Sequence, residues 1–273
     1  MHIESYISKF GCKKIIKLGN VTNCPYTILI NEVKEVGNQG YEFLLHDDIR
    51  IDYFNDAIEE LNSFDELMFI SGNYEINKVI SNISSNVRIH CDVANNIKSL
   101  DDLKFDRKVE SLFVSTSSDL FRNIYKDQSS FFSILSTFAN NIVLKENRGG
   151  SIAFESSTRC VCRIPSQTTP IQHSVGVGDV YDVVSIVAPY DNIEDRLYLA
   201  SWISKEYAST TFPEDFYEAV QIDRGFSIEE LKTVPGCFLP WEERQKCIIY
   251  IAAPDFDFVD TKQIDVLTDS LVY

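Results

Sequence analysis

Apolar positions along this chain fall into short unbroken blocks separated by stretches of helical spacing. Glu66–Ser71, Val87–Val93, Ser111–Ser115 and Asn141–Lys145 are such blocks, each the length of a strand buried on both faces. Helices are expected between and after them, over 75–84, Ser118–Tyr125 and about 129–139, with a shorter one at Asp56–Leu61. In the 129–139 segment Phe131, Phe132, Ile134, Leu135 and Phe138 form the apolar stripe. Further helices are expected at 193–209, 213–222 and 227–232. Strands that alternate with helices predict an α/β fold, a mostly parallel sheet with helices on both faces. Two antiparallel additions accompany it: a hairpin of 26–33 with 41–50 about the turn Gly37-Asn-Gln-Gly40, and a pair at 150–156 and 159–165. Residues 12–18 (CKKIIKL) also read as a strand.

The sharpest break in this pattern is His173-Ser-Val-Gly-Val-Gly-Asp-Val-Tyr-Asp-Val-Val184, a glycine-bearing turn running into an amphipathic helix that Pro189 ends. Gly176 and Gly178 allow a tight turn and a close approach of backbone to ligand. Asp179 stands at the helix start, where free N–H groups and the positive end of the dipole suit an anion. A carboxylate there can take a proton from an attacking hydroxyl. The same residues also describe a tight loop with Asp179 as an ordinary N-cap.

Charge and composition narrow the partners. A formal net charge of −16 over 273 residues argues against nucleic acid and against anionic membranes. No apolar run approaches the ~20 residues of a membrane span, and the start lacks a leader's basic and apolar regions, so a cytoplasmic location is expected. Seven scattered cysteines suit reduced thiols. Cys160 and Cys162 are expected as buried thiols on one strand face beside Ile164, with no second ligand pair to complete a metal site.

Gly176, Val177, Gly178 and Asp179 stand at the four positions of the Gly-Ala-Gly-Asp signature, and here the chain resembles the ribokinase-like (PfkB) carbohydrate kinases. Tyr181-Asp182 follow where that family often has Phe-Asp. The resemblance implies that Asp179 is the catalytic base and that the backbone from Gly176 to Asp179 is the anion hole. It implies ATP and Mg²⁺ as cofactors and a sugar or nucleoside as acceptor. Asn141–Ser151 resembles the family's strand and turn Val-Lys-Leu-Gly-x-x-Gly, with Lys145 and Gly150 matching and Asn147 in place of the first Gly. Asn tolerates left-handed backbone, so the turn can survive. Lys145 and Arg148 are thereby candidates for phosphate contact, or else solvated loop cations. The family's Asn-x-x-Glu would fall at Thr116–Asp119. Asp119 keeps a carboxylate, an outer-shell candidate for Mg²⁺, although Ser117 or Ser118 reads equally well as a helix cap. Asp92 takes the place of a strand-end Asp. Thr116, Asn147 and His173 depart from the family's pattern.

By the same resemblance residues 1–225 form a ribokinase-like domain that lacks the family's first strands, and 226–246 form a linker. Residues 247–273 resemble the opening strand and helix of a nucleoside 2-deoxyribosyltransferase. The expected activity is transfer of the ATP γ-phosphoryl group to a sugar or nucleoside hydroxyl. The alternative is a non-catalytic kinase-like module that binds a nucleotide or a partner, as a homo-oligomer or fused to a deoxyribosyltransferase domain.

Overall fold

The computed structural model describes residues 11–22, 27–33, 38–45, 50–94, 96–223 and 225–246. The elements run β1 (Gly19–Val21), β2 (Thr27–Val33), β3 (Asn38–Leu45), β4 (Ile51–Tyr53), α1 (Asn55–Glu60), β5 (Glu66–Ile70), α2 (Ile76–Ile80), β6 (Arg88–Asp92) and β7 (Val109–Ser115). After these come α3 (Asp119–Ile124), α4 (Gln128–Leu135), β8 (Ala139–Lys145), β9 (Ser151–Glu155), β10 (Val161–Ile164), β11 (Ser166–Gln167), α5 (Val177–Val187), α6 (Ile193–Ser209), α7 (Pro213–Asp223), α8 (Ile228–Thr233), β12 (Gly236–Cys237) and α9 (Trp241–Arg244).

Six strands form the central sheet in the order β10-β9-β8-β7-β6-β5. β5 to β8 are parallel, and β9 and β10 add to the β8 edge antiparallel. The carboxyl ends of four parallel strands therefore share one edge, the usual ligand edge of such sheets. The sheet is covered on both faces, as its continuous apolar strands require. One face packs Leu112, Val114, Ile142 and Leu144 against Leu120, Phe121, Phe131, Phe132 and Leu135 of α3 and α4. The other packs Phe113, Val143, Ala153 and Ile164 against Leu197 of α6, with Tyr181 and Ile186 of α5 alongside. Alternation along each strand sets this division, since neighbouring residues point to opposite faces.

Several expectations are corrected. Residues 12–18 form no strand; the ladder lies one step on, where Gly19–Val21 pairs with Ile51–Tyr53. A run of strand-like residues becomes a strand only where a partner offers its backbone groups. In the hairpin, Asn38 to Gly40 belong to β3 rather than to the turn, and β2 pairs with β3 from Thr27–Leu45 to Val33–Asn38. Cys160 is exposed, just ahead of β10, while Cys162 is half-buried with its thiol pushed up to about 11, first by burial and then by Glu194. The stretch 226–246, expected as a linker, carries α8, β12 and α9. Ser227 caps α8 in a reciprocal box with Glu230. β12 pairs with β11, and Trp241 meets Phe121 edge to face at 5.6 Å. The expected strand and helix of 247–273 lie outside the described residues. None of the helices among the described residues is long and apolar enough to cross a membrane.

Candidate active site at the carboxyl edge of the sheet

The glycine corner sits at this edge. Gly176 is the N-cap of α5 with φ 82°, the left-handed geometry glycine tolerates. A Cβ there would lie 2.9 Å from the Tyr207 hydroxyl. The chain just before it is stitched to α6, because the Gln172 amide donates to the Ala208 carbonyl at 2.8 Å. His173 packs edge-on against the Tyr207 ring at 4.7 Å. The helix thus starts three residues earlier than a cap at Asp179 would imply. Asp179 lies in the first turn, exposed, beside the N-terminal amides of α5. Gly178 is also exposed, and a Cβ on it would meet only the Lys145 Nζ, at 3.6 Å.

Beneath this turn lies a buried ion cluster. Lys145, the last residue of β8, donates to Asp182 Oδ2 at 2.6 Å and to Asp92 Oδ2 at 3.1 Å. Asp92 ends β6, and Asp182 lies on the inward face of α5 with its side chain 0% exposed. The Phe113 ring lies 6.0 Å from the Lys145 ammonium. Register brings the strand residues together: Asp92 is level with Phe113, and Lys145 with Ser115. Burial alone would lower the Lys145 pKa, but the charges of Asp182 and Asp92 outweigh it and hold the ammonium above its ordinary value. The Asp182 carboxyl is pushed well up, by burial first, with Lys145 opposing and Asp92 adding to the rise. Asp179 is also raised, by partial desolvation and then by Asp92, against the pull of Lys145. Lys145 is therefore no solvated loop cation. Its partner Asp182 escaped prominence in the sequence, although a carboxylate inside the apolar stripe of a helix was the available signal.

The other sequence candidates surround the ends of β7 and β8. Asn147 has φ 52° and Gly150 φ 91°, so the turn after β8 keeps the left-handed geometry expected of it. The Ser115 hydroxyl donates to Asn147 Oδ1 at 3.1 Å, and the Asn147 amide lies 3.4 Å from Thr116 Oγ1. Arg148 is exposed on this turn, and Val177 opens α5. Of the two serines expected as caps, Ser118 caps α3, accepting from the Phe121 amide at 3.2 Å. Asp119 is exposed in the first turn of that helix, at the same sheet edge. On the far face Glu146 is buried, accepting from Arg244 Nη2 and from the Trp241 amide, each at 2.8 Å. Arg244 also reaches Thr116 Oγ1 at 3.2 Å. These two residues were not singled out by sequence.

No protein-family model matches the chain, and no curated protein sequence does. Among solved structures, the tetrameric inhibited form of phosphofructokinase-2 from Escherichia coli matches 81% of this chain and 77% of its own, with TM-score 0.56 and 13% identity. Ribokinase from Arabidopsis thaliana complexed with ribose and ATP matches 70% of this chain and 66% of its own, with TM-score 0.55 and 12% identity. A putative ribokinase II from E. coli in complex with ATP and Mg²⁺ matches 75% and 72%, with TM-score 0.55 and 11% identity. The chain has the ribokinase-like fold.

Proposed function

We propose that this ribokinase-like chain is an ATP-dependent kinase that transfers the γ-phosphoryl group to a hydroxyl of a sugar or nucleoside. One observation carries the reading: Asp179 presents an exposed carboxylate in the first turn of α5, beside its N-terminal amides and at the carboxyl edge of the sheet. The structures of similar fold support it, since their names are those of sugar kinases and two of them hold ATP.

In this reading Asp179 accepts the proton of the acceptor hydroxyl. The freed oxygen bonds to the γ-phosphorus as the bond to the bridging oxygen of ADP breaks. Amides of the Gly176–Asp179 turn, apart from that of Val177, which donates to the Ser174 carbonyl at 3.4 Å, face the negative charge that builds on the transferred group. The exposure of Gly178 leaves room for phosphate oxygens close to the backbone. Asn147 and Gly150 shape the turn that borders the nucleotide, with Val177 in the turn opposite. Mg²⁺, when bound with ATP, would neutralise phosphate charge, and the exposed Asp119 carboxylate at this edge fits an outer-shell contact through water. Raised by burial first and then by Asp92, Asp179 is a better proton acceptor than an ordinary aspartate.

Asp179→Asn tests the assignment. It is expected to lower phosphoryl transfer by ~10²–10⁴-fold while MgATP still raises the melting temperature. Equal turnover in both proteins would remove Asp179 from the chemistry. A second reading, a nucleotide-binding module without catalysis, draws on the commitment of Lys145 to two aspartates. A thermal shift with MgATP but no turnover on any sugar or nucleoside would favour it.

A further inference from the structure

The cluster beneath the glycine corner is expensive to bury. One ammonium faces two carboxylates, and Asp92 Oδ1 and Asp182 Oδ1 are both buried without a hydrogen-bond partner among the described residues. Apolar side chains of similar volume would hold α5 on the sheet without that cost. Packing alone therefore leaves the ions unexplained. What they do beyond packing is fix three elements at one point: the end of β6 through Asp92, the end of β8 through Lys145, and α5 through Asp182. Asp182 lies three residues after Asp179 on the same helix, so one turn separates the anchored carboxylate from the exposed one. The Lys145 ammonium also lies under Gly178, 3.6 Å from where a Cβ would stand. The turn that carries the anion-facing amides rests on this cation.

We infer that Lys145 is a positioning residue: held between Asp92 and Asp182, it pins the first turn of α5 to the carboxyl edge of the sheet and so sets where Asp179 meets the acceptor hydroxyl. The kinetic half of this inference rests on the phosphoryl-transfer reading; the structural half does not. Lys145 then acts on catalysis through Asp179, and nucleotide affinity does not depend on it.

Lys145→Met, Asp182→Asn and the double variant test this, with kcat and KM for MgATP measured beside amide hydrogen exchange at Val180–Asp182. Each single change is expected to lower kcat by ~10²-fold, the scale of a misplaced reacting group, with KM for MgATP little changed. The double variant should be no worse than the singles, because the three side chains act as one unit. Exchange at Val180–Asp182, whose first helical bond runs from the Val180 amide to the Gly176 carbonyl at 3.0 Å, should quicken in every variant. Lys145→Arg should restore part of kcat. A tenfold rise in KM with kcat retained would make Lys145 a phosphate ligand and overturn the inference. So would unchanged exchange in folded Asp182→Asn, which removes one charge and keeps the shape should Lys145→Met fail to fold. If the wild type transfers no phosphoryl group, the kinase reading fails by itself, and exchange still decides the clamp.

Discussion

Lys145 and Glu146 are neighbours at the end of one strand, and each belongs to a buried ion cluster on an opposite face of the sheet. On the α3 and α4 side Glu146 meets one cation, Arg244, and also accepts the Trp241 amide. That pair is balanced, one charge against one, and its arginine stacks near the Trp241 ring at 5.5 Å. On the α5 side Lys145 meets two carboxylates, with Asp179 exposed just above. Burial first, and then the charge of Asp92, lifts both Asp182 and Asp179, and Asp92 Oδ1 and Asp182 Oδ1 find no hydrogen-bond partner among the described residues. The balanced pair closes its face, whereas the unbalanced one lies under an exposed carboxylate, Asp179. Burial raises Glu146 as well, so exposure at the carboxyl edge, and not a raised pKa by itself, sets Asp179 apart.

The comparison can be broken first at its balanced half. Arg244→Met leaves Glu146 buried without a cation, and is expected to cost about 3 kcal/mol or more of unfolding free energy, read from urea denaturation. Turnover per folded molecule should hold. A loss of turnover at unchanged stability would give the Glu146 face a part in the chemistry. A smaller effect is expected on the other side from Gly176→Ala, which forces a side chain into left-handed backbone near the Tyr207 hydroxyl. That strain is about 1–2 kcal/mol, and it should lower kcat as α5 shifts. Unchanged stability would show that the corner tolerates a Cβ.

The smallest effect is the sharpest test of sign. Because the Asp179 pKa is raised, the acid limb of kcat/KM should lie above the ordinary aspartate range, where the base becomes protonated. Asp92→Asn removes a cause of the rise and should move that limb to lower pH. Lys145→Met removes the opposing charge and should move it to higher pH. Asp182 faces the same ammonium, so both profiles are compared with that of Asp182→Asn. Shifts in the opposite sense would mean that another group governs the limb.

Much of the fold was legible because its central strands are continuous apolar blocks. Helix α6 spans 193–209 in the structure as in the sequence pattern. Residues 12–18 are strand-like in composition yet form no strand, because composition says nothing about whether a partner lies alongside. The glycine corner was visible as a local motif. The clamp was not, since its hydrogen bonds join residues 53 and 37 positions apart. Glu146 and Arg244 were hidden for the same reason, at 98 positions. Local spacing carries no information about charges that meet only after the sheet has formed.

That last separation also orders the birth of the molecule. As the chain emerges, Glu146, just past β8, is made well before α9 exists, so its carboxylate must wait for a cation still to be synthesised. Closing so long a loop comes late in folding, after the local helices and the neighbouring parallel strands. The side of the sheet away from Asp179 is thus completed by the last described helix, whose Trp241 covers Phe121 edge to face.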